Sequence, residues 1–420
     1  MKGIKVAVEQ LQPGIFIQLP LKWFQHPFVL SHFKIKSAEQ VKIIKSLGIK
    51  YVIAFPAKSD EKPLPTQDIS LDQITDDTEV EDLKDELTLL KEQRIEKLKV
   101  FRREINRTEK NFQRSMSHVK TIMKDIRSRP VQAIEQAGQL IDEISEQLLS
   151  KGDVVLHLMS ESKEDEGLYY HSLNVSILAM LLAKKKGLTK ASLSTVGMAG
   201  LFHDIGKLKV PTQILRKTEP LTAPEENFLK LHPKYSVEIL ELAESFDEKA
   251  KLIIEQHHEF FDGSGHPKGL SKSQLDPLTH ILSVVNNYDN LCHPQDIKKA
   301  KTPYASLSHL FKKDKHKYEP ESLGLLVKLL GIYPPGTVVE LDNGQRGLVI
   351  SVNLNKLLFP NVLLYDPAIP KEQAVIIDLN EIEDIKIIKA LNLNQLEPEI
   401  YEYLSPRTRV NYYIDHTENK

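Results

Sequence analysis

A single cysteine, Cys292, stands in 420 residues, so no internal disulfide can form, and a reducing compartment is the simplest setting. Charge of one sign is also lacking. Fifty-six basic residues against 58 acidic leave a formal net charge of -2, which argues against a broad non-specific nucleic-acid surface. No apolar run is long enough for a bilayer: the longest, Val175 to Ala183, stops at Lys184-Lys185-Lys186, far short of the roughly 20 residues a spanning helix needs. Lys2 and Lys5 precede an alternating segment and not an apolar one, so no signal peptide is expected and the chain reads as cytoplasmic. No internal repeat points to a solenoid. What is present is core-forming material, 41% hydrophobic residues, enough for two or three domains.

Periodicity divides the chain. Residues 1–56 read as a small α+β domain. Ile4, Val6 and Val8 alternate as in a strand, Gln12-Pro13-Gly14 marks a turn, and Ile15-Phe16-Ile17 resumes the strand. Ser37 caps a helix over 38–47 that Gly48 ends, and Tyr51-Val52-Ile53 returns as a strand. Trp23, Phe24, Pro27 and Phe28 form an aromatic cluster that could be a ligand surface; in a small domain such a cluster ordinarily packs the core. Residues 57–80, with Pro63, Pro65 and many acids, read as a linker. Residues 80–150 are helical in pattern. Leu83, Leu87, Leu90, Leu98, Phe101, Ile105, Phe112, Val119 and Ile126 predict a long amphipathic helix able to pair in a homodimer, although Arg94 interrupts the stripe. Arg129-Pro130 ends it, and a second helix follows over 131–149.

Residues 151–333 are expected to form an all-helical core, with helices over 171–184, 191–208, 225–242, 251–259 and 278–291. Thr222 with Glu225 makes a capping box before the third. After Pro334-Pro335 the period changes to two. Val338 to Leu341, the Asp342-Asn343-Gly344 turn and Gly347 to Val352 spell a hairpin, and 362–365 and 375–377 add strands. Residues 335–420 therefore read as a β module with a tail carrying Arg407, Arg409, Tyr412 and Tyr413. The fold class is multi-domain and mainly α.

Two stretches carry chemistry, VGMAGLFHDIGKLKV at 196–210 and EQHHEFFDGSGHPKG at 255–269. In the first, an apolar helical run holds His203, Asp204 and Lys207. Neighbouring helical residues point about 100° apart and residues three apart share a face, so His203 and Asp204 can converge on one point with Lys207 beside Asp204. A lone buried histidine is ordinarily a satisfied core residue. A His-Asp pair, a lysine and a second pair, His257-His258, occurring together favour a metal site, because such groups are costly to bury unless paired or metal-bound. Two histidines in succession can approach one ion only near a helix end, and the Gly263-Ser264-Gly265 turn lies close by.

At these residues the chain resembles the HD-GYP family, a helical branch of the HD phosphohydrolase superfamily whose active members cut cyclic di-GMP. The resemblance rests on H171SLNV, H203DIGK, H232P, H257HE and D262GSGHP, in order and at similar spacing. Residues 4–56 look like the domain of unknown function often found ahead of such domains. The resemblance implies a phosphodiesterase opening cyclic di-GMP to pGpG or GMP with two divalent ions, iron or manganese before zinc. It implies Asp204 as the bridging ligand, with His232, His257 and His258 on one ion, His203 on the other, and His171 near the same cluster. Lys207 would meet a phosphate oxygen, and Gly263, Ser264 and Gly265 would contact substrate.

This sequence departs from the family pattern at several positions. Asn286 stands where the family has an aspartate ligand. Gly167 replaces the glutamate that members with three metals carry, which argues against a third ion. Cys292-His293-Pro294 replaces an arginine-containing run, leaving Lys298, Lys299 and Lys301 as the nearby cations. His266 replaces the tyrosine of GYP, and the Gly265-His266-Pro267 loop reads as a surface contact for a diguanylate cyclase or another signalling protein. The alternative implied by Asn286 and the missing arginine is a degenerate domain that binds without cutting.

Overall fold

Alternation at the N-terminus does become sheet. A computed structural model describes residues 3–21, 25–28, 31–65, 77–150, 153–159, 167–217, 219–294, 296, 299–367, 369, 371, 374–381, 385–404 and 411–417. The chain divides into two units. One comprises Met1–Arg103 with Leu341–Arg346 and Leu364–Ile376; the other comprises Glu104–Glu340 with Gly347–Leu363 and Ile377–Lys420.

The first unit holds strands β1 (Ile4–Ala7), β2 (Phe16–Gln18) and β3 (His32–Lys34), helix α1 (Ala38–Ser46) and strand β4 (Tyr51–Ala54). The sheet order is β1-β4-β2-β3, with Val6 opposite Val52 in an antiparallel ladder. Ser37 caps α1 by accepting from the Gln40 amide at 3.4 Å. Val41, Ile43 and Ile44 of α1 then share one core with Ile15, Ile17 and Val52. Phe28 is buried in that core, its ring 4.6 Å from Phe33, so this member of the aromatic cluster is packing material. Trp23 and Phe24 lie outside the described residues, as do residues 66–76 of the expected linker.

The long helix, α2, runs Asp77–Asp125, and α3 spans Pro130–Leu149. In the second unit Phe112, Met116, Val119, Ile122, Met123 and Ile126 are buried in this chain's own core. That part of the stripe is not free to face a second copy. Strand β5 (Asp153–Met159) precedes α4 (Gly167–Lys185), which is buried continuously from Tyr170 to Ala183. A helix apolar all round belongs at the centre, and this accounts for the longest apolar run. Among the described residues no helix is long and apolar enough to cross a membrane.

Helix α5 (Lys190–Phe202) packs on α4. There follow α6 (Thr212–Leu215), α7 (Ala223–Leu229), α8 (His232–Leu240), α9 (Glu248–Gln256), α10 (Pro277–Cys292), α11 (Pro303–Lys312) and α12 (Pro320–Leu330). Two expected helices are shorter than their periodicity. The one expected over 191–208 stops at Phe202 and continues from Ile205 to Lys209 as a 3-10 turn. The one expected over 225–242 breaks after Leu229 and restarts at His232, because Pro233 lacks an N–H and is tolerated only in a first turn. The Thr222–Glu225 capping box forms as expected.

The remaining elements are β6 (Val338–Leu341), β7 (Arg346–Asn353), β8 (Asn361–Leu364), β9 (Ile376–Asp378), β10 (Ile387–Ala390), α13 (Pro398–Leu404) and β11 (Asn411–Thr417). They build a sheet in the order β10-β6-β7-β5-β11, with β8 pairing β7 and β9. Strand β5, which the sequence reading did not anticipate, pairs with both β7 and β11, Leu156 lying opposite Val352 and Ile414. Tyr413 is buried against Phe112 and its hydroxyl meets Ser115 at 2.8 Å; Arg407 and Arg409 lie outside the described residues.

Candidate metal centre

The breaks in these helices are what create the site. Helix ends leave carbonyls without intrahelical partners, and three histidines sit where they can use them. Nδ1 of His203 donates to the Gly200 carbonyl at 2.8 Å, that of His232 to Leu229 at 2.7 Å, and that of His257 to Ile254 at 2.7 Å. A carbonyl only accepts, so each Nδ1 carries the hydrogen and each Nε2 presents a lone pair. The fourth ring, His171 on α4, is held by Asp289 of α10, 2.5 Å from Nδ1.

These Nε2 atoms crowd together. His171 and His203 are 3.1 Å apart at Nε2, His232 and His257 3.3 Å, and His232 and His258 3.2 Å. Asp204 lies between the groups. Its Oδ1 is 3.1 Å from His232 Nε2 and 3.9 Å from His257 Nε2; its Oδ2 is 3.4 Å from Nε2 of both His171 and His203. Two groups result, Asp204-His232-His257-His258 and His171-His203-Asp204. Imidazole lone pairs facing one another and a carboxylate repel unless a cation sits among them. Asp204 Oδ1 is moreover fully buried with no hydrogen-bond donor, a cost of about 1–3 kcal/mol that a cation would remove. The residues therefore fit divalent metal ions, and the cluster could hold them.

The electrostatics agree. Burial alone would push the Asp204 carboxyl up, but Lys207, 2.5 Å away, and the surrounding imidazoles hold it well below the usual carboxylate range. Burial pushes His203 down to about 4, and His257 and His258 well below their ordinary value, so all three rings stay neutral. His171 is the exception. Burial opposes its charge, yet hydrogen bonds to Asp204 and Asp289 lift it to about 9.

Second contacts fix the frame. A Cβ on Gly206 would lie 2.0 Å from the His232 carbonyl, so only glycine lets the 3-10 turn sit against the start of α8. Ser236 completes that joint, accepting from the Gly206 amide and donating to the His203 carbonyl, both at 2.8 Å. Glu259 is buried beside His258 and accepts from the backbone amides of Lys268 at 2.6 Å and Leu270 at 3.0 Å, tying down the following loop. Gly265 lies against the backbone of residues 258–260, where a Cβ would come within 2.5 Å. Ser236 and Glu259 escaped the sequence reading, although Glu259 directly follows the histidine pair.

Six of the expected ligands, His171, His203, Asp204, His232, His257 and His258, are thus brought together, with Lys207 on Asp204. Asn286 is buried on α10, and its Oδ1 accepts from Asn290 Nδ2 at 2.9 Å. The residue of α10 that grips the cluster is Asp289. Gly263 and Ser264 form the turn after Asp262, whose carboxylate accepts from the Ser264 amide and hydroxyl. His266, expected as a surface contact, is half-buried, and its ring stacks on His258 at 4.7 Å. Of the substitute cations, Lys299 faces Asp296 at 3.6 Å and Lys298 lies outside the described residues.

A helical core gathering five histidines around one aspartate is the kind of site an HD domain provides, and residues 143–322 match the HD-domain family. Residues 3–137 match DUF3391, a domain of unknown function. The chain is a DUF3391–HD protein homologous to the cyclic di-GMP phosphodiesterases. It is 28% identical over 377 residues to cyclic di-GMP phosphodiesterase PA4108 of Pseudomonas aeruginosa, covering 89% of this chain and 88% of that one. It is 28% identical over 228 residues to the cyclic di-GMP phosphodiesterase response regulator RpfG of Xanthomonas campestris pv. campestris, covering 49% and 60%. A 3'3'-cGAMP-specific phosphodiesterase 3 of Vibrio cholerae is 28% identical over 164 residues, covering 39% and 35%. Among solved structures, Bd1817, an HDG"Y"P protein from Bdellovibrio bacteriovorus, covers 77% of this chain and 98% of its own at 17% identity. The TM-score of that match is 0.42.

Proposed function

We propose that the chain is a cytoplasmic, metal-dependent phosphodiesterase that hydrolyses cyclic di-GMP to pGpG or GMP. The observation that carries this reading is the division of Asp204, one oxygen toward His232 and His257, the other toward His171 and His203. That division suits two divalent ions. His232, His257 and His258 would hold one and His171 and His203 the other, with iron or manganese favoured over zinc by imidazole and a shared carboxylate. Such ions supply Lewis acidity to the phosphoryl oxygens and a nucleophile at neutral pH. The protein's own part is preorganisation: the carbonyl-anchored rings present their lone pairs without rearrangement. Lys207, about a quarter exposed, brings a positive charge to the phosphodiester where negative charge grows. Gly263, Ser264 and Gly265 are assigned to substrate contact. The stripe upstream of Phe112 is proposed as a homodimer contact, which sedimentation of the full chain tests. The Gly265-His266-Pro267 loop is proposed as a contact for a signalling protein such as a diguanylate cyclase.

The test is to load the purified protein anaerobically with ferrous or manganous salt and follow cyclic di-GMP, with 3'3'-cGAMP in parallel. Slow release of pGpG or GMP is expected. A second reading, a domain that binds the dinucleotide without cutting it, is favoured by the neutral Asn286 and the missing arginine. It takes over if fully metallated protein binds cyclic di-GMP yet releases no product over hours.

A further inference from the structure

The Cys292-His293-Pro294 run, where the sequence lacks an arginine, turns inward. Helix α10 ends at Cys292, and Pro294 disfavours helical backbone at the residue before it, so His293 leaves the helix at φ -128°, ψ 54°. Its backbone amide still donates to the Asp289 carbonyl at 2.7 Å, and its side chain folds back along the same turn. Nδ1 of His293 comes to 3.0 Å from Oδ2 of Asp289. The same oxygen takes Nδ1 of His171 at 2.5 Å, while Oδ1 takes the side-chain amide of Asn174. Asp289 is fully buried, so these donors replace water.

A carboxylate oxygen has two in-plane lone pairs. Here His171 and His293 both bring Nδ1 within 3.0 Å of Oδ2, while Asn174 donates to the far oxygen. Three donors leave the carboxylate plane one orientation, and that plane sets the tilt of the His171 ring. Without His293, Oδ2 would be held only by the His171 ring it is meant to orient, and that oxygen and the ring could shift together about the Asn174 anchor.

We propose that His293 is a positioning residue, which by donating to Asp289 aims Nε2 of His171 at the His171-His203-Asp204 cluster. The proposal rests on the metal-binding reading above. Partners of metal-bound histidines, when removed, typically weaken metal affinity about 10–100-fold, and that is the effect expected here.

Two substitutions separate donation from bulk. His293→Leu fills the space without a donor; His293→Asn places an amide N–H close to where Nδ1 sits. Manganese or cobalt titrations of the full chain should show two ions in the parent. His293→Leu should weaken one of them about 10–100-fold and leave the other within about twofold. His293→Asn should restore the lost affinity to within a few fold. Cobalt absorption spectra of the weakened ion should shift in the leucine variant and return in the asparagine one. If the leucine variant does not fold, 15N histidine spectra of the parent decide: an Nδ1-bound hydrogen on His293 supports the proposal and an Nε2-bound one ends it. Unchanged affinities, or an equal loss at both ions, would overturn it while the metal reading stands. A parent that takes up no ion sinks both.

Discussion

Raising the pH from 7 to 8.5 should tighten metal binding on the His171 side of the cluster. A proton and a metal ion compete for the same Nε2, and hydrogen bonding to Asp204 and Asp289 lifts the His171 ring to about 9. Below that value each unit of pH costs the ion about a factor of ten, or about 1.4 kcal/mol, because the proton must first be displaced. From pH 7 to 8.5 the apparent affinity should therefore rise roughly thirtyfold and then level off near pH 9. His203, His257 and His258 are held neutral by burial and add nothing over this window. Manganese titration by calorimetry, repeated in buffers of different ionisation enthalpy, reads both affinity and proton release. About one proton should leave with the His171-side ion at pH 7, and His171→Ala should abolish the slope. With a chelator present the same proton stabilises the fold by roughly 3 kcal/mol below pH 6.5, a contribution lost as the pH rises to about 9. Flat affinity with no proton released would refute the assignment of that proton to His171.

Asp204→Ala should remove both ions and all turnover, whereas Lys207→Ala should keep the metals and slow hydrolysis roughly a hundredfold, read by metal analysis beside product release. Gly206→Ala should push the 3-10 turn off α8 and cost metal content as well as thermal stability, since its Cβ would lie 2.0 Å from the His232 carbonyl. Asn286→Asp should raise metal content or rate by restoring a charge that a neutral amide lacks; no change in either would show that Asn286 is not a ligand.

Much of this site was legible because its parts are local. Asp204 and Lys207 meet across one turn, and that relation survives although the turn is 3-10 and not α. His257 and His258 fall at a helix end, as two neighbouring ligands require. Residues acting at a distance were not legible. Glu259 matters because a loop nine to eleven residues later folds back onto its carboxylate. Asp289 matters because α10 lies beside α4, and nothing in the YDNL run says that its one acid will face a histidine. The sheet divides the same way. The Asp342-Asn343-Gly344 hairpin announces itself by its turn, while β5 has no local partner and drew no notice.

Strand β5 also sets an order of events. It leaves the ribosome ahead of every helix that bears a metal ligand, yet its two partners are residues 346–353 and 411–417. Until the last of these is synthesised, a strand edge beside the helical core stays unpaired and open to other chains. Contacts so far apart in sequence form slowly, because the loop between them must be closed before any pairing rewards it. The β11 strand, an appendage of the tail by sequence, is thus the piece whose arrival covers the β5 edge and passes the end of the sheet to the last strand made.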